Sequence, residues 1–107
     1  MAVISRQTVQ SPLKQGEDET IAYTITTTPW ASSPTSVAAK IYSFNPVNSS
    51  YTEVTSARMT GSPSVTNDVI TLPAISGLTD GTRYRVEVQF TVSGNIYEPW
   101  FWLDGER

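Results

Sequence analysis

The sequence predicts an all-β domain, and three observations carry the prediction. Fifteen Thr, thirteen Ser and ten Val stand against four Leu. Thr and Val are stiff at χ1 and suit a pleated surface better than a helix. No window holds a sustained i, i+3, i+4 apolar stripe, whereas segments of period two recur between turn residues. Seven such segments, spaced at roughly 8–12 residues, are the pattern of an antiparallel sandwich of two sheets.

In chain order, Ala2 to Val9 reads as the first strand, followed by a polar turn over Ser11-Pro12 and Lys14-Gln15-Gly16-Glu17-Asp18. Glu19 to Thr27 alternates, with Ile21, Tyr23 and Ile25 on one face and Thr20, Ala22, Thr24 and Thr26 on the other. Pro29 and Ser32-Ser33-Pro34 break the chain. Val37 to Phe44 is the third strand, ended by Asn45-Pro46, and Tyr51 to Thr55 is a short fourth strand at an edge. Residues 56–67 read as mostly loop, and Asp68 to Leu72 is a fifth strand stopped by Pro73. Thr82 to Val92 is the sixth; it sets Tyr84, Val86, Val88, Phe90 and Val92 against Arg83, Arg85, Glu87, Gln89 and Thr91. Ser93-Gly94-Asn95 turns the chain and Ile96 to Leu103 returns it. With no repeat, linker or low-complexity tract, one domain spans residues 1–107.

Composition narrows the function. The 107 residues contain no His and no Cys, so a catalytic triad with His, a thiolate nucleophile, a zinc finger, a haem ligand and a disulfide framework are all excluded. Seven Lys and Arg against ten Asp and Glu give a net charge of −3, which speaks against nucleic acid or an anionic membrane as partner. Neither a signal-peptide core nor a run of about 20 apolar residues is present, so the expectation is a complete, leaderless cytosolic product that does not cross a membrane. Adjacent carboxylates at Glu17-Asp18-Glu19 stay solvated and repel, with no third ligand fixed by spacing. Glu87 and Glu98 are expected to pair across strands with Arg83 and Arg85 rather than to act as acid and base. The expectation is therefore a protein that is not an enzyme, with no catalytic residue, metal or cofactor.

Gly77-Leu78-Thr79-Asp80-Gly81-Thr82-Arg83-Tyr84-Arg85-Val86-Glu87-Val88 resembles the corner and following strand of fibronectin type III and related immunoglobulin-like domains. The resemblance covers about residues 69–92. It implies a seven-stranded antiparallel immunoglobulin-like sandwich in which Leu78 packs under the corner, Gly81 permits the turn and Tyr84 returns its hydroxyl to nearby backbone. The second strand, Ile21-Ala22-Tyr23-Thr24-Ile25, lacks the core Trp usual in fibronectin type III domains, and Trp30 is the residue available to fill that space from a shifted position. The chain also resembles small tailed-bacteriophage virion proteins of this length, through Lys14-Gln15-Gly16-Glu17 leading into Ile21-Ala22-Tyr23 and through Gly81 to Val92 with the Ser-Gly-Asn turn.

Hairpin parity then selects a candidate site. A loop of Ser93-Gly94 places Val92 opposite Asn95 and Phe90 opposite Tyr97; a loop of Gly94-Asn95 places Val92 opposite Tyr97. In both, Tyr97, Pro99, Phe101 and Leu103 join the core face, while Ile96, Glu98, Trp100 and Trp102 lie beside Arg85, Glu87 and Gln89. A three-residue loop would bury Glu98 unpaired and is rejected on that cost. Two tryptophans on the nominal solvent face are either covered by Arg and Glu stems or by the N-terminal strand, or form an interface, with a sugar-stacking platform a third option. The candidate interface is Trp100, Trp102, Ile96, Arg85 and Glu87; the structural corner is Leu78, Gly81 and Tyr84. Two readings of function follow. One is a structural protein of a phage-like virion, assembled in the host cytoplasm by self-association or by docking on other virion proteins. The other is a fibronectin-type or carbohydrate-binding adhesion module of a larger extracellular protein, with a glycan as ligand.

Overall fold

The computed structural model describes residues 13–27 and 32–107, so the expected strand Ala2 to Val9 and the placement of Trp30 lie outside the described residues. Strand makes up 58% and helix 4% of what is described. In chain order the elements are β1 (Leu13–Gly16), β2 (Thr24–Thr26), β3 (Thr35–Asn45), β4 (Ser50–Glu53), α1 (Thr55–Arg58), β5 (Met59–Thr60), β6 (Ser64–Thr66), β7 (Val69–Thr71), β8 (Ala74–Ile75), β9 (Arg83–Val92), β10 (Asn95–Tyr97) and β11 (Trp100–Glu106).

A six-stranded sheet with the order β1-β11-β9-β3-β4, and β10 paired to β9, forms one layer. A three-stranded sheet, β2-β7-β6, and the ribbon β5-β8 supply the rest of the core. The arrangement is sandwich-like, with the core drawn from Ile41, Tyr84, Val86, Val88, Phe90, Phe101 and Leu103 of the large sheet and Ile25, Met59, Ile70, Leu72, Ile75 and Leu78 beyond it. The described residues form eleven strands where seven were expected of the whole chain, and one pairing is parallel: β1 runs alongside β11, Leu13 opposite Leu103 and Gly16 opposite Glu106.

Several stretches depart from the expectation: α1 begins at Thr55, inside the expected fourth strand, β8 follows Pro73, and three further departures bear on the core. Lys14-Gln15-Gly16, expected to turn, is strand; only Glu17-Asp18 turns. The cause is Gln15, whose fully buried amide gives Nε2–H bonds to the carbonyls of Ile75 (2.7 Å) and Glu19 (2.9 Å) while its Oε1 accepts from the Tyr23 hydroxyl (2.7 Å). A polar side chain thus joins β1 to the opposite layer, satisfied as a buried amide must be. Glu19 to Thr27 is not one strand: Ile21 makes an isolated bridge to Ile75 before β2 begins, although its facing holds, with Ile25 buried and Thr20, Ala22, Thr24 and Thr26 exposed. Residues 56–67, expected as mostly loop, contain the end of α1 and both β5 and β6; Met59 there is a buried core residue.

The Tyr23 phenol gives a pH test of this region. Burial, and then the charge of Glu19, push it up from 10 to about 12. Folding therefore favours the neutral phenol. Its contribution to stability is full below pH 10 and is lost as pH rises from 10 through about 12. Urea melts of the native chain are expected to lose stability over that window, and Tyr23→Phe is expected to flatten this limb. An unchanged limb in the variant would exclude Tyr23 as the group responsible.

The corner is closed by a buried tyrosine. Tyr84 is 1% exposed and its Oη accepts the Thr79 N–H at 2.9 Å. Leu78 is buried beneath it, and Gly81 has φ +80°, a backbone that side chains rarely adopt. The last strand braces the turn: Gly81 N–H donates to the Gly105 carbonyl (3.0 Å) and Gly105 N–H to that of Thr82 (2.9 Å). Tyr84→Phe keeps the packing but leaves the Thr79 amide without its partner, so denaturant titration is expected to register a loss of about 1–3 kcal/mol. A loss near zero would mean that water replaces the phenol there.

Candidate docking face

The hairpin parity of β9, β10 and β11 decides which rings reach the outside. Ser93 (φ +50°) and Gly94 (φ +82°) are both left-handed, which is a type I′ two-residue turn. Asn95 pairs with Val92 and Tyr97 with Phe90, so the Ser93-Gly94 loop is the one adopted. Pro99, lacking an N–H, interrupts the return arm, yet its carbonyl still accepts from Val88 N–H at 2.9 Å. Beyond it the same register resumes, Trp100 opposite Glu87 and Trp102 opposite Arg85. Pro99, Phe101 and Leu103 are buried; Glu98 and Ile96 are exposed; Trp100 and Trp102 are half-buried on the outer face.

On that outer face the two indoles are part of a larger array. Trp100 and Trp102 meet edge to face with centroids 5.3 Å apart. Phe44 of β3 lies 5.7 Å from Trp102. Tyr51 of β4 stacks on the same indole at 6.5 Å and 13°. Tyr42 touches Tyr51 edge-on at 6.5 Å. Register brings these rings together, because β3 aligns Tyr42 with Arg85 and Phe44 with Arg83, and β4 aligns Tyr51 with Phe44. Each ring pair contributes roughly 0.5–1.5 kcal/mol beyond its area.

Two arginines interleave with the rings. The Arg85 guanidinium sits 4.1 Å from the Trp100 centroid and binds Glu87 at 2.8 Å. Arg83 lies 5.2 Å from the Trp102 ring and grips both carboxylate oxygens of Asp104, at 2.7 and 3.0 Å. That hydrogen-bonded pair raises the Arg83 pKa above its ordinary value. Beside the rings is a cleft of about 210 Å³ lined by Ala38, Lys40, Tyr42, Glu87, Gln89 and Glu98. Burial first, and then Glu87, raise the pKa of the Tyr42 phenol.

Of the sequence-predicted site residues, Trp100, Trp102, Arg85 and Glu87 come together. Ile96, 67% exposed, shares their face but sits opposite Thr91, two cross-strand rows beyond Trp100. The expected pairing of Glu87 and Glu98 across strands is corrected. Glu87 pairs with Arg85 along its own strand, Arg83 takes Asp104, and Glu98 accepts from Gln89 at 3.2 Å. Sequence reasoning missed Tyr42, Phe44 and Tyr51 as members of this face. Their parity within the third strand was a usable signal, but only the β3–β9 register shows whose rows they enter.

Among the described residues no three His, Cys, Asp or Glu side chains are grouped to hold a metal, and no helix is long and apolar enough to cross a membrane. Compared with known proteins, the chain matches no family model and no curated sequence.

Proposed function

We propose that the chain is a non-enzymatic structural and assembly protein of a phage-like particle, an immunoglobulin-like sandwich that docks through the outer face centred on Trp100 and Trp102. The observation that carries this is the array of five aromatic rings pinned by Arg83 and Arg85 on one sheet face. Tryptophan, tyrosine and arginine are the side chains that dominate protein interfaces. Rings already held in place by their neighbours lose little rotamer freedom on binding, so more of the contact energy becomes affinity. The tyrosine corner supports the immunoglobulin-like part of the reading, and the phage-particle setting rests on the resemblance to small tailed-bacteriophage virion proteins. A glycan platform is disfavoured by the same geometry: Arg85 occupies one face of Trp100 and Tyr51 stacks on Trp102, whereas a sugar needs an open ring.

Trp102→Ala is the test. It removes contacts to Phe44, Tyr51 and Trp100, an expected cost of roughly 1.5–4.5 kcal/mol at 0.5–1.5 for each of the three ring pairs, and a thermal melt checks that the domain is still folded. In particles purified from producing cells and analysed by mass spectrometry, the native chain is expected at fixed stoichiometry. The variant's affinity for its particle partner is expected to fall roughly 30-fold, the effect of losing a central anchor of about 2 kcal/mol. Absence of the native chain from any particle, or equal incorporation of the variant, overturns the reading.

A further inference from the structure

Among the described residues, only half of the β3 edge is covered. β4 pairs with Tyr42–Asn45. Just before that stretch, the Ile41 carbonyl accepts from Val54 N–H at 2.9 Å and Ile41 N–H donates to Thr55 Oγ1 at 3.1 Å. Backbone groups repeat direction every second residue, so Ala39 aims its N–H and C=O to the same side. Its partner Val88 gives its own N–H to Pro99, away from β3, which fits a pair that shares no ladder bond. Among the described residues no strand pairs with this side of Ala39. The unpaired edge opens on a groove of about 670 Å³ whose walls include Ala39, Met59, Pro63 and Pro73, with Glu53 at its margin. Glu53 accepts from Thr55 Oγ1 at 3.1 Å and is in neither of the ion pairs found among the described residues. An unpaired strand edge beside a groove of mixed polarity, lined by Ser56 and Ser62 as well as by the apolar walls, is a geometry that can receive an added strand.

We propose that the segment Ala2 to Val9 of a second copy adds to β3 here. Three facts favour this occupant. Residues 1–12 contain no acidic side chain, and their Arg6 complements Glu53. The segment carries Val3 and Val9, apolar side chains that share one face of a strand and are of a size to enter a groove whose walls include Met59 and prolines. In sequence it ends three residues before β1, which lies at the opposite edge of the large sheet from β4. A segment that leaves one edge and is received at the other makes a head-to-tail contact, which propagates into a ring or a filament. The register shift between Thr35 and Ala38, with Ser36 at φ +52°, closes the usable edge on that side, so the added pairing is short. The proposal rests on the β3 edge and is independent of the aromatic face.

The test is light scattering behind size exclusion on the full chain, with a synthetic peptide of residues 1–12 as competitor. The native chain is expected to be oligomeric at high micromolar concentration and to be dissociated by the peptide. Arg6→Glu is expected to raise the dissociation constant roughly tenfold, and adding Glu53→Arg to restore it. Ala39→Pro removes an outward N–H that no ladder bond uses, and is expected to weaken association by a similar factor. Thermal melts check that each variant is folded, and the charge swap keeps the test decisive if the proline variant is not. A strict monomer overturns the proposal, as does an oligomer indifferent to Arg6→Glu and to the peptide. An oligomer dissolved by Trp102→Ala alone assigns self-association to the aromatic face instead.

Discussion

Gly105→Ala is expected to destabilise the domain by about 3 kcal/mol or more, the upper end of what steric overpacking costs. A Cβ at Gly105 would fall far inside contact distance of the Thr79 carbonyl oxygen and would crowd the Leu78 side chain. The carbonyl belongs to the backbone of the corner and cannot rotate away. Thr79 is held by its own amide on Tyr84 and by the Thr82 N–H on its carbonyl at 3.2 Å, while Gly105 is tied to Gly81 and Thr82 on either side. Relief therefore requires the last strand to leave the corner, which breaks those bonds as well. Thermal unfolding should show a midpoint lower by roughly 15 °C. A melt within two or three degrees of the parent would mean that the strand and the corner separate easily, and the brace described above would then contribute little.

The second large effect is expected at Gln15. Gln15→Leu keeps approximate volume and removes three hydrogen bonds, two donated to the carbonyls of Glu19 and Ile75 and one accepted from Tyr23. At about 1 kcal/mol each, the loss is about 3 kcal/mol. Ile75 retains a partner in Ile21 N–H at 3.1 Å, so the damage concentrates at Glu19 and Tyr23. Amide exchange should then accelerate across β1 and residues 19–23 before it does in β9. Uniform acceleration would instead place Gln15 inside the global folding unit.

What could be read from the residues alone followed from strict local rules. Tyr84, Leu78 and Gly81 form a corner because a buried phenol and a turn's backbone need each other within a few residues. The facing of Trp100 and Trp102 followed from turn length and the period of two. The remainder depends on long-range pairing that composition hides. Lys14-Gln15-Gly16 looks like solvent-facing turn because nothing nearby announces that Ile75, sixty residues away, supplies a buried acceptor for Gln15. Met59 sits among Ser, Thr, Gly and Pro, too isolated to mark a strand. Tyr42, Phe44 and Tyr51 lie in segments that sequence does place as strands, but their company with Trp102 is set by the β3–β9 and β4–β3 registers, which no local motif specifies.

The type I′ turn at Ser93-Gly94 and the unbroken register across Pro99 have a consequence for how this chain tolerates length changes. Adding or removing one residue between Val92 and Trp100 would exchange inside for outside along the whole return arm: the indoles would be driven into the space of Phe101 and Leu103, and those two side chains would be expelled. Changes of two residues would leave every side chain on its own face. The outer array is thus sensitive to the parity of the loop length, and an odd change at this hairpin has to be absorbed by a β-bulge if the faces are to be kept.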